Sequence, residues 1–391
     1  MLLSIAVYTL FALSLFGLGW HVNSREQETL ATRTTKELPF YSWEILLSIA
    51  IISIVFGFRF NTGSDYMMYW KQYYYDLYEL DYGRVGGMEV GYEWITKVFA
   101  SFRLHFIVYF SFWAALQAFL LYYGLRHRKF LLPWMGLLLV LGPYSINWLS
   151  FMRQWTVTCA FIPMVSLIQE RRWLPYVLLV LLLSTIHVSA LILLLFYILP
   201  YKRIAELSRI KCLLIMALMI LLGLKPFWIQ VFKPIGELLP LLGYERYQAM
   251  FNDLMNGGAR FMSWGILHII IIFSQVVIIY YYKEVKAYRP NDLLLPYFFV
   301  LAFVAICYDN LMQNTIHFIL RPVELLYGCE LVMLAYTYNF LYAKKRYKEL
   351  LVCLLPVILY VLINVVKSHL NPAGDMSEIV NYHFYPPNGV E

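Results

Sequence analysis

The chain has 391 residues, of which 61% are apolar and only 14% charged, and its mean hydropathy is +0.63. Soluble domains carry about 25% charged residues, so a large soluble domain is excluded and an integral membrane protein is indicated. The formal charge of +7 is too evenly scattered for a nucleic-acid stripe and reports membrane orientation instead.

The opening run MLLSIAVYTLFALSLFGLGW lacks a basic n-region and an A-x-A site and exceeds a signal-peptide core, so it reads as a retained helix. Apolar segments then follow near 43–58, 104–125, 129–143, 150–168, 173–185, 187–200, 210–229, 262–282, 292–308, 315–342 and 349–367. With roughly 20 residues needed per crossing, the expectation is an all-α polytopic membrane protein of about twelve transmembrane helices. Segments 173–185 and 187–200 are short for a bilayer; as a re-entrant pair they lower the count to ten. Five cysteines (Cys159, Cys212, Cys307, Cys329, Cys353) lie in or beside these segments without ligand spacing and read as packing residues. There is no internal repeat or low-complexity linker, so residues 1–391 read as one membrane domain.

Alternate connections separate by charge. One set, holding RHRK, ERR, YKR with Arg209 and Lys211, KEVK with Arg289, and KKRYK together with the first loop, collects 19 of the 31 Lys and Arg and is expected in the cytoplasm. Both termini then face outward, as do two long connections, about 59–104 and 230–261, the first carrying amphipathic helices. Long loops are where function concentrates.

In the first of these, FRFNTGSDYMMYWKQYYYDLY places turn and cap residues before a helix that Asp65 opens. Arg59 beside this turn suits a phosphate, although a capped interfacial helix reads the same way. Tyr66, Tyr69 and Tyr73 share one helical face, and such an aromatic wall fits either a sugar or an interfacial belt; Tyr66 and Tyr69, nearest Asp65, are the substrate-binding candidates. MEVGYEWITKVF reads as an amphipathic helix with Glu89 just before Gly91, a second carboxylate for base or orienting work. Arg153 and Gln154 start the segment after 150, where an arginine snorkels, pairs or meets a ligand. In STIHVSA, His187 is either a structural histidine or a proton-transfer group. Finally His317, Arg321 and Glu324 share one helical face, with Pro322 bending the helix. Charge-derived topology gathers these residues in the outer half, which suits an anionic, lipid-borne, hydroxyl-rich substrate.

These motifs resemble a known family. FRFNTGSDYMMY resembles the "FR…GTDY…Y" stretch of the EpsG-type, Wzy-like polymerases of bacterial exopolysaccharides and capsules, with Ser64 in place of the usual threonine. MEVGYEWI resembles the family's Glu-x-Gly-aromatic segment, SFMRQWTVTCAF its Arg-Gln helix start, LLLSTIHVSALI its His-x-Ser-Ala hairpin, and Arg321 its late-helix arginine. The C-terminal NYHFYPPNGVE departs from the family's "PY" ending and receives no role. The resemblance implies a glycosyltransferase of the bacterial cytoplasmic membrane, related to the GT-C class, with its active site facing outward. Its donor and acceptor would be glycan repeats on undecaprenyl pyrophosphate, and the pathway's flippase and chain-length regulator its candidate protein partners. Arg153 and Arg321 would bind the pyrophosphate, with Arg59, Gln154, His317 and the tyrosines as further contacts. The base would be His187 first or Asp65 second, with Glu89 as the other catalytic carboxylate. No cofactor or metal is expected, since no His/Asp cluster of the kind that binds a divalent ion is visible.

The main rival is a lipid-linked oligosaccharide flippase, which would carry charges along a central path and commonly show repeated halves. A membrane acyltransferase, for which His187 alone is thin support, and a structural assembly partner are the others.

Overall fold

The computed structural model describes residues 1–31, 40–77, 88–224, 265–313, 317–371 and 380–384. The expected outer connection 230–261 lies outside the described residues, as does the tyrosine-rich stretch beyond residue 77. Helices dominate, and the only sheet among the described residues is one two-stranded ladder.

By length and composition, five described helices can cross a bilayer: Leu2–Glu28, within α1 (Leu2–Ala31), then α5 (Phe106–Gly124), α13 (Ile266–Tyr288), α14 (Leu295–Met312) and α17 (Tyr347–Leu370). Each coincides with an expected segment. The expected segment 315–342 is broken: α15 (His317–Glu324), with Pro322 inside it, ends before α16 (Tyr327–Ala343) begins. The short pair is also real. α9 (Trp173–Ser184) has 12 residues, roughly 18 Å at 1.5 Å per residue against a core of roughly 30 Å. The chain then turns at His187 into a 3-10 turn (Val188–Ile192) and a single helical turn, α10 (Leu193–Phe196).

Around these run α2 (Trp43–Gly57), α6 (Leu132–Leu141), α7 (Ser145–Ser150), α8 (Met152–Gln169) and α12 (Arg209–Gly223). α1 packs on α6, α2 on α5, and α5 on α8. α16 lies at the centre, buried on nearly every side and touching α6, α8, α13, α14 and α17. Its apolar run therefore needs no polar face. All five cysteines are unbonded and four of them are buried.

The described part of the connection 59–104, expected from its charge to face outward, holds two helices, α3 (Tyr66–Leu77) and α4 (Val90–Ser101), which pack together. Between α2 and α3, Arg59–Phe60 forms β1, antiparallel to β2 (His383–Phe384), with Arg59 opposite Phe384. The C-terminal segment, given no role from sequence, is thus a strap. Tyr382 is 2% exposed; its hydroxyl donates to the Val55 carbonyl at 2.8 Å and its N–H to Ser4 Oγ at 3.0 Å. The Asn381 carbonyl accepts from the Thr62 hydroxyl at 3.0 Å.

Tyr382→Ala removes a filled site between α1, α2 and β1 and is expected to cost about 3 kcal/mol. Thermal unfolding of the detergent-solubilised protein checks this, and an unchanged midpoint would mean the strap carries no weight.

Candidate functional site

The turn after β1 depends on two residues with left-handed backbone, Asn61 (φ 44°) and Gly63 (φ 100°). At Gly63 a Cβ would lie 2.3 Å from the Leu149 carbonyl oxygen, so glycine is required for α7 to approach. The Ser64 N–H donates to Ser150 Oγ at 3.1 Å and the Ser64 hydroxyl to Asp65 at 3.1 Å. Asp65 is thereby set, half-buried, at the head of α3.

The tyrosine face of α3 does not stand open. Tyr66, Tyr69 and Tyr73 are at most 2% exposed and pack on Phe106, Tyr109 and Phe110 of α5, because α5 offers the matching apolar face. The Tyr66 hydroxyl donates to the Arg59 carbonyl at 2.9 Å. Arg59 itself is 1% exposed, its guanidinium 4.8 to 5.8 Å from the ring centres of Phe56, Tyr66 and Phe110. Arg59 and Tyr66, read from sequence as substrate contacts, occupy interior positions that hold the turn.

A charged cluster forms where α4, α8 and the α9 hairpin meet. Gly91 is the reason they can meet: its N–H donates to the Thr185 carbonyl at 2.8 Å, and a Cβ there would lie 2.2 Å from Thr185 Oγ1. Glu89, the residue capping α4, is carried with it. One Glu89 oxygen accepts from the Arg153 guanidinium; the other accepts the Val188 N–H at 2.9 Å and lies 3.8 Å from His187 Nδ1. Arg153 and Glu89 are each mostly buried, at 14% and 16% side-chain exposure. The faces of Tyr92 and Tyr69 lie 5.1 and 6.0 Å from the Arg153 guanidinium. Aromatic faces stabilise such a half-desolvated cation.

His187 Nδ1 accepts from the Ser189 N–H at 3.2 Å and lies 2.9 Å from the Ser189 hydroxyl. The neutral ring therefore carries its proton on Nε2, where it is a donor. His187 sits in a turn, outside the helical spans. Burial, then the charges of Arg153 and Arg321, push its pKa down to about 3.

Gln154 supplies the other wall. Its amide donates to the Arg321 carbonyl at 2.8 Å and to Glu324 Oε2 at 2.6 Å, fixing α15 against α8. Arg321 is half-exposed, and its charge acts on both His187 and Glu324. Asp65 acts on Tyr69 and Glu324. The sequence-derived candidates Asp65, Tyr69, Glu89, Arg153, Gln154, His187 and Arg321 therefore form one neighbourhood. His317 begins α15, but its side chain lies outside the described residues. Sequence reading did not pick out Ser189, Thr185 or the Val188 amide, whose roles rest on backbone geometry; Tyr92 was visible only as one aromatic of many. It also passed over Asp309 and Glu330, interior carboxylates that accept from the hydroxyls of Tyr327 (3.1 Å) and Tyr144 (2.6 Å). An acid inside an apolar segment was the available signal. Among the described residues no three His, Cys, Asp or Glu side chains are grouped to hold a metal ion.

A model of the EpsG family matches residues 43–384, from the start of α2 to the end of the strap. The chain belongs to the EpsG family, whose members are membrane proteins of polysaccharide biosynthesis. Neither the curated proteins nor the solved structures contain a match.

Because His187 is neutral when folded and titrates near its ordinary value of 6.5 when unfolded, it contributes stability above pH 6.5 that is lost as pH falls toward about 3. His187→Gln is therefore expected to flatten the fall of the unfolding midpoint over that window. A fall as steep as in the wild type would show that His187 is not held neutral. Gly91→Ala is expected to cost about 1–3 kcal/mol by forcing α4 off Thr185, read as a lower unfolding midpoint.

Proposed function

We propose that this chain is a polysaccharide polymerase, joining glycan repeats carried on undecaprenyl pyrophosphate at the outer face of the cytoplasmic membrane. The observation that carries the reading is that Glu89 joins Arg153 of α8 to the His187 turn while Gln154, the next residue of α8, bonds the Arg321 carbonyl of α15 at 2.8 Å, which brings two arginines from separate helices to one place. Paired guanidinium forks match the oxygens of a pyrophosphate.

In the reaction, a hydroxyl of the incoming lipid-linked repeat attacks the anomeric carbon of the donor chain. The bond from that carbon to the pyrophosphate oxygen breaks, and the lipid pyrophosphate leaves with the electron pair. Arg153 and Arg321 neutralise the charge developing on that leaving group. Asp65 takes the hydroxyl proton. What favours it is the kind of partner: Glu89 is held by the Arg153 charge and the Val188 amide, and the accepting nitrogen of neutral His187 is taken by Ser189, whereas Asp65 Oδ1 accepts from a neutral hydroxyl, that of Ser64. His187 then orients the hairpin and donates from Nε2, while Glu89 aims Arg153. Tyr69 backs the Arg153 side.

The test is gel analysis of glycans in cells lacking this chain, complemented with wild type or variants, alongside a probe of which membrane face exposes the lipid-linked repeat. Arg153→Ala is expected to lower polymer yield by about 100-fold or more, leaving single repeats on lipid at the outer face. Arg153→Lys restores little, since the ammonium lacks the fork. Asp65→Asn abolishes polymer, whereas His187→Gln retains part of it; the reverse order would return the base to His187. Repeats trapped on the cytoplasmic face would instead mean a flippase.

A further inference from the structure

At the opposite end of α8 from Arg153, roughly 24 Å away by helical rise, the ends of α5, α8 and α13 enclose a cavity of about 690 Å³. Its wall includes Arg126, Arg128 and Arg289 with the carboxylates of Glu170 and Asp292. Asp292 is already engaged, and Glu170 is 48% exposed in a loose pair with Arg172. Asp292 accepts from the Arg128 guanidinium at 2.6 Å and from the Tyr336 hydroxyl at 2.5 Å, and Glu170 lies 3.7 Å from Arg172. Arg126 covers a helix end, donating to the Tyr123 carbonyl at 2.8 Å.

Arg289 is left over. Its guanidinium lies 3.4 Å from the centre of the Phe130 ring and donates to Asn339 Oδ1 at 3.2 Å, and among the described residues no carboxylate pairs with it. The Asn339 amide in turn donates to the Phe130 carbonyl at 3.3 Å, so the stack is held from both sides. Arg289, Phe130 and Tyr288 also line a second cavity of about 270 Å³, whose other wall carries Trp20, Trp134 and Tyr342. One fixed cation thus stands between a basic cavity and a mixed one, where the aromatic rings share the wall with Asn23, Ser24, Gln27 and Asn339. That arrangement suits a molecule with a phosphate at the junction of a polar and an apolar part, as basic pockets between spans bind anionic headgroups and Trp and Tyr gather at the lipid interface.

We propose that Arg289 is the centre of a second binding site, distinct from the Glu89–Arg153 cluster, for a phosphate-bearing headgroup at the end of the bundle that carries the RHRK loop. The Trp20, Trp134 and Tyr342 rings of the second cavity, residue types that gather at the lipid interface, favour an anionic membrane lipid over free phosphate as its source. The site does not depend on the polymerase reading.

The test is native mass spectrometry of the intact full-length chain in detergent, titrated with phosphatidylglycerol, with phosphatidylcholine as control and inorganic phosphate as competitor. Wild type is expected to retain phosphatidylglycerol over phosphatidylcholine, and Arg289→Gln to bind it about fivefold more weakly, the loss of one basic contact to an anionic headgroup. Ser166→Glu, which adds a carboxylate to the cavity wall without touching Arg289, is expected to produce a similar loss, and Arg289→Lys to keep most of the binding. Displacement by millimolar phosphate in wild type but not in Arg289→Gln supports the site with a soluble phosphate as its source. Equal retention of the two lipids by wild type, or equal phosphatidylglycerol affinity in wild type and Ser166→Glu, overturns it.

Discussion

The carboxylate of Glu89 ties the site together. Carried at the N-cap position of α4, it accepts from the Arg153 guanidinium at the head of α8 and accepts the Val188 amide from the α9 hairpin. Three elements distant in sequence are pinned by one group. Because the Glu89 and Arg153 side chains are largely out of water, removing either leaves the other an uncompensated charge at a cost of about 3–5 kcal/mol. That geometry also holds Arg153 in its fork orientation beside the Tyr69 and Tyr92 faces.

Around this tie, the protein satisfies polar groups pair by pair. Gln154 spans from α8 to α15; Tyr8, Thr62 and Tyr382 stitch the C-terminal strap to α1, α2 and the Asn61–Gly63 turn. A polar group inside an apolar bundle is costly unless bonded, so each of these contacts fixes a relative position. The same device recurs at both ends of α8. An arginine is laid against aromatic rings, with Arg153 beside Tyr92 and Arg289 over Phe130.

Much of the fold could be read from the chain. The five longest apolar helices, the amphipathic α4 after Glu89 and the short α9 hairpin follow from hydropathy and length alone. The tyrosine stripe of α3 shows where such reading fails. Tyr66, Tyr69 and Tyr73 share a face in either case, and whether that face meets sugar, lipid or Phe106 and Phe110 depends on where α5 lies. The broken helix at Leu325–Leu326 is similar: Pro322 signals a bend, but the separation of α15 from α16 follows from Gln154 and Thr158 holding Glu324.

The sequence by itself determined that this is a helical membrane protein with its polar residues at a few points, and its motifs carried the family, since spacing and composition are local properties of the chain. Only tertiary structure decided which of those points meet. It buried Arg59, brought Glu89 onto the Arg153 guanidinium, and gave the C-terminal strand its partner. Each of these rests on a contact between backbone or side-chain atoms far apart in sequence, and such contacts leave no periodic trace.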